Sequence, residues 1–210
     1  MVNPPILYGT VMHPVKLAAA AAFALLTCAC QQQYVRDPEL RGRDLELMRL
    51  SAPMPVVADP EKMRYRIPNP TGERTPGTIV VDSAAKFLYL VEDGGTAMRY
   101  PIAVGSEANV WTGEATIGRK AEWPSWTPGA QARSMVPGLP ATVPGGARNP
   151  LGARALYLYE GGRDTEYRIH GTNEPESIGH NVSLGCIRMY NIDVIDLADR
   201  AREGARVVVR

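Results

Sequence analysis

Short runs of β-branched and aromatic residues, separated by glycine and proline turns, occupy the chain from residue 77 onward. The 210 residues include 20 Gly and 18 Pro, a proportion that favours a turn-rich β fold over a helical bundle. Asp93-Gly94-Gly95 is a hairpin signal. The predicted strands are residues 78–82, 86–91, 97–104, 115–117, 155–159, 167–170 and 206–209. Short strands at this spacing predict a sandwich or a barrel.

One helix is predicted near the end of the chain. Asn191 is suited to cap it, and Asp193 suits the positive end of its dipole. Apolar residues recur at helical spacing, and Gly204 follows them: Ile192, Ile195, Ala198 and Ala201. We therefore expect a mostly β, sandwich- or barrel-like domain with one short helix after residue 190.

The N-terminus has the features of an export signal. Residues 17–26 form an apolar run after Lys16, shorter than the roughly 20 residues that span a bilayer. This pattern predicts a signal peptide over residues 1–30, with Met12 as a possible start and a single anchored span as the alternative. Cys28 and Cys30 resemble the lipidation site of a bacterial lipoprotein. We expect an exported protein of the periplasm or cell envelope that contacts a membrane only through such a lipid anchor.

The remaining chain divides into a polar segment and a folded domain. Residues 31–75 are rich in proline and predict a tether, apart from a short helix near residues 43–50. Residues 76–210 are the predicted domain. Within it, residues 124–152 form a long proline-rich loop, either a lid over an extended substrate or a packing segment. Trp111, Trp123 and Trp126 lie in or near this loop.

Charge and residue types exclude several functions. The net charge of +1 and the absence of a basic run argue against nucleic-acid binding. Two histidines and one thiol in the domain fall short of a four-ligand zinc site, so no metal and no cofactor is predicted. No G-x-S-x-G motif of a serine hydrolase is present.

The only cysteine of the predicted domain, Cys186, lies sixteen residues after His170. A thiolate nucleophile needs a base, and His170 ends a predicted strand, which is a more rigid platform than the loop that carries His180. Gly185 permits a tight turn, and backbone N–H groups near it are candidates for an oxyanion site. The alternative for Cys186 is a small buried apolar residue.

Two further residues have equally open roles. Arg188 is placed to steady the thiolate or to bind a substrate carboxylate, or it forms a surface ion pair. Ser183 braces the turn before Cys186 by local hydrogen bonding, or it is ordinary turn chemistry.

The motif formed by these residues resembles that of the YkuD-type L,D-transpeptidases, a family of bacterial cell-wall enzymes. His170-Gly171 matches its histidine and glycine, and residues 183–188 (SLGCIR) match its cysteine segment. Leu184 departs from the histidine often found there, which leaves His170 as the base. The resemblance extends over about residues 76–210, with TIVVD near residue 78, KFLYLVEDGG near 86 and ATIGR near 115.

The resemblance implies a mostly antiparallel β domain with the cysteine and histidine in a cleft. Cys186 would form a thioester with a tetrapeptide stem of peptidoglycan and release D-alanine, with His170 transferring the protons and Gly171, Gly185 and Ser183 in support. An amine of another stem or a protein lysine would then accept the acyl group. The alternatives are an L,D-carboxypeptidase or other hydrolase on the same scaffold and a non-catalytic wall-binding lipoprotein.

Overall fold

The computed structural model describes residues 32–54, 62–105, 111–183 and 185–210. The predicted signal peptide with Cys28 and Cys30 lies outside these residues, as do Leu184 and the side chain of Ser183. Within the described ranges, no helix has the length and apolar character needed to cross a membrane.

Strands dominate the described residues. They are β1 (Gln33–Tyr34), β2 (Tyr65–Pro68), β3 (Ile79–Asp82), β4 (Phe87–Val91), β5 (Thr96–Gly105), β6 (Gly113–Glu122), β7 (Arg154–Glu160), β8 (Arg163–His170), β9 (Asn181–Ser183), β10 (Ile187–Met189) and β11 (Arg206–Val209). The helices are α1 (Gly42–Leu50), α2 (Ala130–Met135) and α3 (Asn191–Arg200).

The strands form one sheet that closes on itself. Their order is β1-β2-β5-β10-β8-β7-β6-β11-β3-β4, and β4 also pairs with β5. This second pairing closes the strands from β5 to β4 into a barrel and so removes their free edges. The predicted mostly β, barrel-like fold is confirmed. Most pairings are antiparallel, but β10 with β8, β11 with β3 and β5 with β9 are parallel.

The apolar core joins the barrel to the helix predicted near the C-terminus. Leu88 and Leu156 of the barrel and Val194 and Leu197 of α3 are fully buried in one cluster. Burying a side chain of this size contributes about 1.5–3 kcal/mol to stability. The predicted helix is confirmed and ends at Arg200. Because α3 follows β10 directly, its burial also fixes the strand that begins beside Cys186.

The segment predicted as a polar tether contributes three elements to the fold. β1 pairs with β2, and β2 pairs with β5. Arg64, just before β2, is 3% exposed, and its Nη1 donates to Asp193 Oδ1 at 2.7 Å. Helix α1, predicted near residues 43–50, is also present. Composition indicated a tether because a charged side chain such as that of Arg64 is normally exposed unless it has a partner. The partner of Arg64 lies 129 residues away, so the neighbouring residues do not indicate that Arg64 is buried.

Both ends of the long loop at residues 124–152 are fixed by α1. Trp123, at the start of the loop, is 2% exposed, and its indole N–H donates to Asp44 Oδ1 at 2.7 Å. Arg154, just after the loop, donates to both carboxylate oxygens of Asp44 at 2.8 and 2.6 Å. Trp123 is therefore a packing residue, and a lid role for the loop stays a prediction.

Candidate active site

The site is built on two neighbouring parallel strands. The β8–β10 register pairs Ile169 with Ile187 and His170 with Arg188. Both isoleucines are buried in the core, so the alternation of strand side chains places His170 and Arg188 on the opposite face. Cys186 immediately precedes β10. The two motif segments, distant in sequence, therefore meet at one end of β8.

His170 is held as a neutral base. It is 5% exposed, and its Nδ1 lies 2.6 Å from the Gly171 carbonyl oxygen. A carbonyl oxygen only accepts, so Nδ1 carries the proton and Nε2 keeps its lone pair. Burial lowers the pKa of His170 to about 4, and the charge of Arg188 acts in the same direction. The imidazole is therefore neutral at pH 7 and able to accept a proton through Nε2.

Cys186 is a half-buried thiol at the edge of the same face. Its Sγ is 3.9 Å from the carbonyl oxygen of Glu166. Burial raises the pKa of the thiol. The backbone N–H of Arg168 and the positive charges of Arg168 and Arg188 oppose that rise. The resting pair is accordingly a neutral thiol and a neutral imidazole, which suits a nucleophile that loses its proton only during attack.

A buried asparagine holds the turn that carries the histidine. Asn191 Oδ1 accepts from the backbone N–H groups of Ala153 and Thr172 at 3.0 and 3.1 Å, and its Nδ2 donates to the Thr172 carbonyl at 2.9 Å. A Cβ on Gly171 would lie 2.2 Å from Asn191 Oδ1, so this position requires glycine. The turn after His170 is thereby fixed to the N-terminus of α3.

This role of Asn191 differs from the predicted one. The residue is the first of α3, whose N-cap position is Tyr190 and carries no side-chain capping bond. Its side chain bonds instead to backbone groups of residues 153 and 172, because those loops leave buried N–H groups that need acceptors. No local pattern in the sequence indicates this, since an asparagine at a helix start is equally suited to capping.

The other predicted site residues surround this pair. Gly185 is buried and has a φ of 129°, in a region that favours glycine. Arg188 Nη1 donates to Glu174 Oε2 at 2.8 Å, so it has a carboxylate partner, and its role toward substrate stays a prediction. His180 is exposed in a loop. Among the described residues, no cluster of three His, Cys, Asp or Glu could hold a metal ion.

Comparisons with known proteins place this geometry in context. The family model YkuD, described as the L,D-transpeptidase catalytic domain, matches residues 76–209. The probable L,D-transpeptidase ErfK/SrfK of Escherichia coli is 37% identical over 141 residues, covering 63% of this chain and 43% of its own length. The putative L,D-transpeptidase YkuD of Bacillus subtilis is 38% identical over 135 residues, covering 64% of this chain and 66% of its own.

One solved structure is also similar in sequence. It is a Brucella melitensis protein described as a probable carnitine operon oxidoreductase caia, with 46% identity, a TM-score of 0.49, and coverage of 73% of this chain and 96% of its own. The chain spans less than half the length of the Escherichia coli relative, of which 43% is matched.

Proposed function

This chain belongs to the YkuD family of L,D-transpeptidase catalytic domains, and on that basis we propose that it transfers acyl groups of peptidoglycan stem peptides through a thioester on Cys186. The observation that carries the proposal is the position of Cys186 immediately before β10, which pairs with β8, the strand that ends at His170. The Nδ1–H of His170 is bound to the Gly171 carbonyl, which leaves Nε2 as the acceptor for the thiol proton.

The first half of the reaction forms the thioester. Cys186 Sγ bonds to the carbonyl carbon between the third stem residue and the terminal D-alanine, and the thiol proton passes to Nε2 of His170. The oxygen that becomes negative is stabilised by backbone N–H groups near Gly185. When the carbon–nitrogen bond breaks, His170 returns the proton to the departing D-alanine amine.

The second half resolves the thioester. An amine of another stem, or a lysine of a wall-attached protein, adds to the thioester carbon while His170 accepts its proton. The carbon–sulfur bond breaks, the proton returns to sulfur, and a new amide remains. Water in place of the amine would yield an L,D-carboxypeptidase, so the product depends on which nucleophile reaches the carbonyl.

The rest of the chain fits an enzyme of the cell envelope. We propose that residues 1–30 direct export, that Cys28 or Cys30 carries a lipid, and that residues 76–210 are the catalytic domain. Peptidoglycan stem peptides lie outside the cytoplasm, so the proposed activity requires that the protein be exported.

Intact-mass measurement with purified disaccharide-tetrapeptide tests the function. We expect the protein to gain the mass of the donor minus D-alanine, and the product with an added acceptor stem to be a cross-linked dimer. A tripeptide as the only product would identify the hydrolase. Protein that binds sacculi, gains no mass and releases no D-alanine would contradict enzymatic activity and support the wall-binding alternative.

The pH dependence of acylation tests the role of His170. Because its pKa lies at about 4, the imidazole stays neutral as pH falls through the ordinary histidine range near 6.5. We expect the single-turnover acylation rate to hold from about pH 7 to about pH 5.5 and to fall by half near pH 4. Stopped-flow measurement with a chromogenic carbapenem reports this rate. A half-maximal point near pH 6.5 would contradict the buried neutral base.

A further inference from the structure

A row of two arginines and a tyrosine leads away from Cys186 across the sheet. The β6–β7 register pairs Arg119 with Tyr157, and the β7–β8 register pairs Tyr157 with Arg168. In the parallel β8–β10 register Ile187 pairs with Ile169, so Cys186, one residue earlier, lies beside Arg168. The core-facing neighbours of this row are buried, so the row lies on the face that carries His170.

The two arginines share one aromatic ring. The guanidinium carbon of Arg119 lies 3.4 Å from the centroid of the Tyr157 ring, and that of Arg168 lies 4.3 Å from it. The ring stands between them because they come from the strands on either side. Each guanidinium gains cation–π attraction and loses side-chain freedom. The tyrosine therefore fixes two positive charges close together.

The charges of this row are only partly balanced. Arg168 donates to both carboxylate oxygens of Asp164, at 2.6 and 2.9 Å. Arg119 is exposed, and in the parts of the chain that the structure describes, no carboxylate lies within 4.0 Å of it. A guanidinium stacked on a ring keeps its N–H edge available, and that edge matches a carboxylate in a bidentate geometry.

The position of Arg119 suits an extended peptide at Cys186. Three strand spacings separate β10 from β6, which is about 14 Å at roughly 4.8 Å per spacing. An extended chain covers this distance in about four residues. We propose that Arg119, stacked on Tyr157, binds a free carboxylate of the peptide substrate. This inference rests on the proposed function and names the chemical group that the substrate carries.

The test compares two forms of the stem peptide. In one form every carboxyl group is free, and in the other all carboxyl groups except that of the terminal D-alanine are amidated. We expect the wild-type protein to prefer the free acid about tenfold in KM, the lower end for a charge-assisted hydrogen bond at an exposed site. Arg119→Gln should reduce the preference to about one, and Arg119→Lys should leave an intermediate value. Arg202→Gln, on the exposed turn after α3, is the matched control and should keep the full preference.

Two arms of the experiment distinguish the source of the carboxylate. If the donor carries it, the preference appears in the acylation step; if the acceptor carries it, the preference appears only in the transfer step. Loss of affinity for free and amidated peptides alike in Arg119→Gln, or no loss for either, would overturn the subsite.

Calorimetric binding to Cys186→Ala separates this inference from the proposed function. A preference for the free acid that Arg119→Gln removes would support the subsite even if the wild-type protein formed no thioester. Equal binding of both peptides in the Cys186→Ala background, together with no preference in either kinetic step, would leave the subsite refuted while the acyl-transfer function stood.

Discussion

Replacing Cys186 with alanine is expected to abolish acylation of the protein by tetrapeptide stems and by carbapenems. Cys186 is the only cysteine among the described residues, it lies immediately before the strand that pairs with the His170 strand, and alanine leaves no atom to form a thioester. Loss of a nucleophile in comparable acyl-transfer enzymes lowers kcat by about 10⁶-fold. Intact-mass spectrometry should show no added mass, and the rate of D-alanine release should fall to background.

The chain supplies matched controls for this experiment. A variant with both Cys28 and Cys30 replaced by alanine keeps the thiol at residue 186 and should acylate at the wild-type rate. His180→Ala should likewise retain acylation, since that histidine is exposed in a loop, whereas His170→Ala should lose most of it. Acylation of Cys186→Ala at a measurable rate would refute the thioester mechanism.

The sequence singled out Cys186 and His170 as the proposed catalytic pair because both residues lie in short motifs whose spacing is visible without a structure. It also predicted the β fold, since runs such as residues 79–82 combine β-branched residues with flanking turns. Some strands were predicted shorter than they are: β6, predicted over residues 115–117, begins at Gly113 and ends at Glu122. Glu114 and Arg119 of this strand are exposed, and such charged residues interrupt the apolar pattern by which a strand is predicted.

Contacts between distant charged or polar residues were not predictable in this way. Asp44 reaches Arg154 across 110 positions, and Asn191 reaches Ala153 across 38. Each of these side chains is equally common on a solvated surface, so its own neighbours in the sequence carry no signal. Only the closed barrel, which brings β7, β8 and α3 together, gives each of them a buried partner.

These distant contacts also determine how the site is supported. Arg154, held by Asp44, offers its backbone carbonyl to the Gly171 N–H at 3.0 Å. The residue after His170 is therefore bonded to β7 on one side, while Asn191 holds the following residue to α3. Helix α1 contacts the site through Arg154, which connects the segment predicted as a tether to the position of His170.

Replacing Arg64 with methionine is expected to cause a large loss of stability although Arg64 lies outside the site. Arg64 and Asp193 have side chains 2% and 6% exposed and an Nη1–Oδ1 distance of 2.7 Å. Removing one partner of a buried ion pair typically costs about 3–5 kcal/mol when the other group stays charged, so the full loss applies at pH values above the pKa of Asp193. Urea unfolding measured by circular dichroism gives the free energy of unfolding directly.

The same variant should show a distinct pH dependence. Burial already raises the pKa of Asp193 to about 7 against the opposing charge of Arg64, and losing that charge raises the pKa further. Since the folded state then holds its proton to higher pH than the unfolded state, whose aspartate titrates near 3.9, stability falls as pH rises toward the folded pKa. The loss caused by Arg64→Met should therefore be larger at about pH 8.5 than at about pH 6.

Arg66→Met is the matched control, because Arg66 lies two residues away and is 35% exposed in its pair with Glu92. An exposed pair contributes about 0–1 kcal/mol, so this variant should unfold close to the wild type at both pH values. Equal losses for the two variants, or a loss for Arg64→Met that does not change with pH, would contradict a buried charge pair. The expected result would make Arg64, within the segment predicted as a tether, part of the cooperative unit that carries His170 and Cys186.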